Sequence, residues 1–245
     1  MPDGIVHQSL DGGLVTIECH GFDLSLPATS TLEVSVPGDE LEFSAGPLPY
    51  GTTVAEDKSE ISLTETYSYQ GGQLKMGVRA EDTGASTRAG VWDGAHSSIY
   101  LETYNRTAAQ VISTLDYFEI EDGALGVQMI TSSPSVTLRT SPLLAKIVPG
   151  LGLLEIAELT SPVANNLPSW EGTPTVGGEL FIEDLEGSAV DLLEGLSQPP
   201  QFYLVLVSPS ARTIILPQAG VAPQDLVSAA AALRIAWQPQ TATDD

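Results

Sequence analysis

Apolar and polar residues alternate with a period of two through much of the first half of the chain, which restricts those segments to strands resting on a core by one face. From Thr31 to Val36, Leu32, Val34 and Val36 alternate with Thr31, Glu33 and Ser35; Pro37-Gly38 interrupts the run, and Leu41 and Phe43 resume it. The pattern predicts a strand, a turn and a strand. Residues 59–69 place Ile61, Leu63, Tyr67 and Tyr69 on one side, and residues 73–80 do the same with Leu74, Met76 and Val78. Gly71-Gly72 between them predicts a hairpin turn, because a tight two-residue loop needs positive φ. In residues 116–129, Asp122-Gly123 suits such a loop. That choice sets Glu121 opposite Ala124, Ile120 opposite Leu125 and Phe118 opposite Val127, with Glu119 and Glu121 on the other face.

Helical signals are fewer. Thr107-Ala108-Ala109-Gln110 has the form of a capping box ahead of Val111, Ile112 and Leu115. Residues 188–196 carry Val190, Leu192, Leu193 and Leu196 and stop before Pro199-Pro200. Residues 223–237 open on Pro223 and repeat Leu226, Ala230, Leu233 and Trp237 at helical spacing, which predicts a helix over that range. An acidic tail follows.

Together these signals predict a mainly β fold, an antiparallel β-sandwich or barrel-like architecture with a few short helices and an α+β C-terminal part. The expected organisation is a β-rich domain over 1–159, a Pro/Gly-rich linker or long loop over 160–178, and a small α+β subdomain over 179–245, with one continuous domain as the alternative. No fixed-period repeat points to a propeller or solenoid.

Charge then narrows the setting. The chain has 32 Asp and Glu against 9 Lys and Arg, a net charge of −23. Small soluble domains usually carry a net charge of about 2 to 8. In dilute buffer such an excess repels itself and opposes the compact state. At molar salt the Debye length falls to about 3 Å, and the repulsion is screened. The acids are scattered as singles and pairs, such as Glu56-Asp57, Glu81-Asp82 and Glu183-Asp184. Lysine is reduced to Lys58, Lys75 and Lys146, while the hydrophobic content of 42% is enough for a core. The composition therefore predicts adaptation to brine, as in a halophilic archaeon or its virus, with hydrated cations at the acidic surface. No basic patch is available to neutralise phosphates, so nucleic acid is not an expected partner.

Cys19 is the only cysteine, which excludes an intramolecular disulfide and a cysteine-rich zinc site. Met1-Pro2-Asp3-Gly4 lacks the basic and apolar regions of a signal peptide. The greasiest stretch, 143–159, is broken by Lys146, Pro149, Gly150, Gly152, Glu155 and Glu158, so no membrane span is expected. These features suggest a cytoplasmic or virion location; the Asn105-Arg106-Thr107 sequon would matter only after export.

Reactive residues are few and isolated. Cys19-His20 pairs a thiol with an imidazole near Glu18 and Asp23, but neighbours on a strand point to opposite faces, and the alternation Val15, Ile17, Cys19 puts the thiol in the core. Asp93 and His96 lie in a turn-rich stretch, where an acid-oriented base is conceivable and a surface loop is the simpler reading. His7 reads as solvent-exposed. Tyr67, Tyr69, Tyr100 and Tyr104 suggest a binding platform or, more simply, cross-strand packing. Glu119-Ile120-Glu121-Asp122-Gly123 fits the hairpin better than a calcium loop. Phosphate-loop, dinucleotide, nucleophile-elbow and His-Glu-x-x-His signatures are absent.

No residue is thus nominated as catalytic, cofactor-binding or metal-binding, and no cofactor is expected. The expected function is a non-catalytic structural or assembly protein, such as a virion capsid or tail component, whose partners are copies of itself or other protein subunits. The alternative is a halophile's enzyme or small-ligand-binding protein, with its site in residues 92–104 or in the C-terminal α+β part.

Overall fold

Most of the alternating runs become strands. The computed structural model describes residues 4–80, 84–165, 167–184 and 202–240. Its first strands are β1 (Gly4–Gln8), β2 (Leu14–Glu18), β3 (Ala28–Val36), β4 (Asp39–Pro47), β5 (Glu65–Tyr69), β6 (Gly72–Ala80), β7 (Ser86–Asp93) and β8 (Ser97–Tyr104). There follow β9 (Glu119–Gly123), β10 (Gly126–Ile130), β11 (Thr137–Leu138), β12 (Leu143–Val148) and β13 (Gly152–Glu158). The last are β14 (Thr173–Thr175), β15 (Gly178–Asp184), β16 (Phe202–Val207), β17 (Ala211–Pro217) and β18 (Arg234–Gln238). Short helices punctuate them: α1 (Tyr50–Thr53), continued by a π-helical turn over Val54–Lys58, then α2 (Ala108–Leu115), α3 (Ser161–Ala164) and α4 (Pro223–Ala232). The fold is mainly antiparallel β. Among the described residues no helix is long and apolar enough to cross a membrane. The helix expected over 188–196 lies outside the described residues.

Contacts divide the chain into two compact units. One is built from β1 as far as His7 with Leu14–Ala28 and Leu143–Pro239; the other is built mainly from Gln8–Gly13 and Thr29–Pro142. Residues 160–178, expected to separate domains, lie inside the first unit. The reason is a long-range pairing: β13 runs antiparallel to β17 from Gly152↔Pro217 to Glu158↔Ala211, so sheet hydrogen bonds join the segments on either side of 160–178.

The first unit is a sandwich. Strands in the order β14-β15-β16-β17-β13-β12 face a smaller sheet, β1-β2-β18. Val15, Ile17, Ile235 and Trp237 of the small sheet share one core with Leu144, Leu154, Ile156, Leu204 and Ile215, and α4 adds Leu226 and Ala230. The helix predicted over 223–237 ends at Ala232, and Leu233 turns extended at φ −70, ψ 139. Over Arg234–Gln238 the chain buries only Ile235 and Trp237, pairing them with Ile17 and Val15 of β2. Trp237 lies four residues after Leu233 and two after Ile235. It satisfies both periods, and the open edge of β2 decides for strand.

The second unit carries strands in the order β3-β4-β8-β7-β6-β5. One face packs Leu32, Phe43, Leu74, Met76, Trp92 and Leu101 beneath α2 and the β9–β10 hairpin, with the Phe43 and Phe118 rings edge to face at 5.4 Å. The other face gathers Ala55, Ile61, Ala89, Val91 and Tyr100. The capping box of α2 forms in full: the Thr107 side chain accepts from the Gln110 amide, and the Gln110 side chain accepts from the Thr107 amide.

Three local details differ from the pattern. The predicted strand over 59–69 is a strand only from Glu65: Glu60 turns at φ 54 and the Ile61 amide donates back to the Ala55 carbonyl, while residues 61–62 pass so close to Gly77 that a Cβ there would meet the Ser62 carbonyl at 2.2 Å. The β5–β6 turn is Gln70-Gly71 rather than Gly71-Gly72, with φ of 44 and 77, while Gly72 makes room for the Trp92 ring. The β9–β10 loop is Ala124-Leu125, so Gly123 faces Gly126, Ile120 faces Met129 and Asp122 faces Val127. This two-residue displacement preserves the faces: Ile120, Val127 and Met129 are buried, and Glu119 and Glu121 stay exposed.

Among the described residues no Asp or Glu is buried, and the one buried charged side chain is Lys146. The outward placement nonetheless brings acids together: Glu33 on β3 lies directly opposite Glu42 on β4. Like charges facing each other across strands destabilise a sheet. Replacing Glu42 by Gln is expected to raise unfolding stability by about 0.2–1 kcal/mol in dilute buffer. The gain should shrink in molar salt, as comparison of denaturant midpoints at the two salt levels will show.

Candidate functional site

The residues singled out in the sequence do not converge. Cys19 is 2% exposed in the core of the first unit, and burial pushes its thiol pKa up, which leaves it a small apolar group rather than a nucleophile. His20, next in the chain, is exposed, and the two residues line one shallow cleft of about 450 Å³ with Glu18, Ser228 and Arg234, Cys19 only at its buried edge. Asp93 is engaged by Lys75 at 2.7 Å, not by His96. His96 and Ala95 instead donate their backbone amides to Asp122 Oδ2 at 2.7 and 2.6 Å. Gly94 makes that approach possible, since a Cβ there would sit 2.5 Å from the same oxygen. Asp122 therefore anchors the β7–β8 turn. Among the described residues no group of three or more His, Cys, Asp or Glu is placed to hold a metal ion.

The four tyrosines form no single platform. Tyr69 packs against the core that holds Trp92 and donates to Asp116 at 2.9 Å. Tyr100 is buried on the opposite face of that sheet, where it donates to Glu102 at 2.6 Å and meets Ser59 Oγ at 2.7 Å. Tyr104 reaches the second oxygen of Glu102 at 3.1 Å. Burial, reinforced by the Glu102 hydrogen bond, pushes the Tyr100 phenol well above its ordinary pKa. It is a fixed donor, and the cluster ties the 59–63 segment to β8.

Two sites escaped the sequence reading. The first is a buried cation. On β12, Leu144, Lys146 and Val148 share the inward face, and Lys146 is 1% exposed, its ammonium donating to the Leu26 carbonyl. The signal was available: the strict alternation around Lys146 directs it inward, whereas the sequence treats it only as a break in a greasy run. Burial lowers its pKa, and the nearby Asp23 carboxylate opposes that shift. His7, expected to be solvent-exposed, is half-buried near it, with its Nε2 buried and unpartnered. Burial first, and the Lys146 charge second, lower the His7 pKa to about 4.

The second site is a cavity of about 280 Å³ on the outer face of the larger sheet of the first unit. Its floor is Glu183 from β15, Tyr203 and Val205 from β16, and Arg212 and Ile214 from β17. Pairings of Glu183 with Tyr203 and Val205 with Ile214 place these side chains on one face. Leu167, Pro168 and Trp170 form the wall, and Trp170 is 53% exposed. The covering loop is held close by Gly172, whose missing side chain leaves room for the Phe181 ring. Of the floor residues, Arg212 has its Nε buried without a hydrogen-bond partner, and the Tyr203 hydroxyl reaches Glu183 only at 3.5 Å. The sequence hint was the apolar run of β16, which buries residues of both faces and so requires cover on each.

His7 has a definite pH consequence. Its pKa is lowered from 6.5 unfolded to about 4 folded, so its contribution to stability is complete above pH 6.5 and is lost as pH falls toward 4. The loss amounts to at most about 3 kcal/mol. Urea unfolding across this window should show a slope that the His7→Gln variant lacks; an equal slope in both proteins would remove His7 as its source.

In comparisons with known proteins, no family model, curated protein or solved structure matches the chain.

Proposed function

We propose that this chain is a non-catalytic structural subunit that assembles with copies of itself or with other protein subunits in concentrated salt. Such a setting belongs to a halophilic archaeon or its virus, where the protein serves as a capsid, tail or scaffold component in the virion or the cytoplasm. The observation that carries the reading is a surface of two kinds: no described Asp or Glu is buried, while Ile147, Val176 and Ile182 of the first unit stand 57%, 63% and 55% exposed. In dilute buffer the acids hold copies apart. Molar salt screens that repulsion and leaves the apolar side chains to associate.

The buried groups support the same reading. Lys146 is shut from solvent, and Cys19, in the wall of the 450 Å³ cleft, is 2% exposed with its thiol pKa raised by burial, so neither is presented as a reactive group. Asp93 is paired with Lys75 of the neighbouring strand, and Asp122 holds a turn. Light scattering coupled to size separation in molar chloride tests the proposal. The full chain is expected to form an oligomer or closed particle there, to dissociate on dilution, and to stay smaller when Ile147 and Val176 are both replaced by Glu. A monomer at every salt and protein concentration overturns it.

A further inference from the structure

We infer that the cavity between the 167–170 segment and the outer face of β15, β16 and β17 is a binding site for the ring of a neutral sugar. Three features converge on that ligand. Trp170 offers an indole in the wall, more than half exposed, and a pyranose ring has a flat C–H face that stacks on such a surface. Arg212 Nε is a buried donor with no acceptor. Glu183 is an acceptor whose donor in the site, Tyr203, stands at the 3.5 Å limit. A hydroxyl group gives and takes a hydrogen bond at once, so adjacent hydroxyls of one sugar satisfy Arg212 and Glu183 together. The volume of about 280 Å³ is at the small end of ligand pockets, suited to one ring rather than a long chain.

Charge selects against the competing ligands. A phosphate or carboxylate would satisfy Arg212 but would face Glu183 and a protein of net charge −23. An organic cation would pair with Glu183 and leave Arg212 Nε unmet. The site is independent of the assembly surface: Ile147 and Val176 do not line it.

Trp170 gives a direct readout, because the other two tryptophans, Trp92 and Trp237, are each 2% exposed. The full chain in molar salt is titrated with methyl glucoside, methyl galactoside and N-acetylglucosamine while tryptophan emission is followed. At least one of these sugars is expected to give a saturable shift. Ligand-observed NMR then compares variants: Trp170→Ala and Arg212→Gln should each weaken binding by about tenfold or more, and Trp170→Phe should restore part of it. Near-ultraviolet circular dichroism from the buried tryptophans checks that each variant is folded. Absence of saturation with all three sugars overturns the assignment. So does binding that survives in folded Trp170→Ala, or tighter binding of glucuronate or adenosine than of the neutral sugars. Oligomer size, measured in the same samples, tests the assembly reading separately.

Discussion

The period of two along each strand is the constraint on which the rest depends. It sends alternate residues outward, and among the described residues the acids belong to the outward set. β3 and β4 illustrate the rule: Leu32, Val34, Leu41 and Phe43 enter the core, while Glu33, Glu40 and Glu42 remain outside it. One geometric fact thus builds the apolar cores and concentrates negative charge around them. Charge repulsion and hydrophobic burial are set against each other on the same strands, and the surrounding salt shifts the balance.

Lys146 is the counterexample that clarifies the rule. It occupies an inward position, and its charge is tolerated because the Leu26 carbonyl accepts its hydrogen bond. The neighbouring His7 stays neutral over the range in which an exposed histidine would titrate, first because of burial and second because of the Lys146 charge. A buried cation in an acidic protein makes the first unit sensitive to acid by a route separate from its surface carboxylates.

Local order was readable in the sequence wherever short-range physics decides it. The strands around Pro37-Gly38, the capped helix after Thr107 and the buried Cys19 follow from spacing alone. Errors arose where a distant partner decides. Asp122 is held by amides of the β7–β8 turn instead of forming its own loop, Trp237 is recruited by β2, and the division into units rests on β13 meeting β17. The cavity under Trp170 was hidden for the same reason: its floor comes from three strands, and its wall comes from a Pro/Gly-rich stretch that composition alone assigns to a linker.

Among the described residues every Asp and Glu lies outside the cores, and we propose that the fold depends on salt to tolerate them. Following unfolding by circular dichroism as potassium chloride is diluted from molar concentration to about 0.1 M tests that dependence most directly. The account predicts a transition midpoint that falls continuously on dilution. A midpoint that is unchanged or higher at the low-salt end would contradict it.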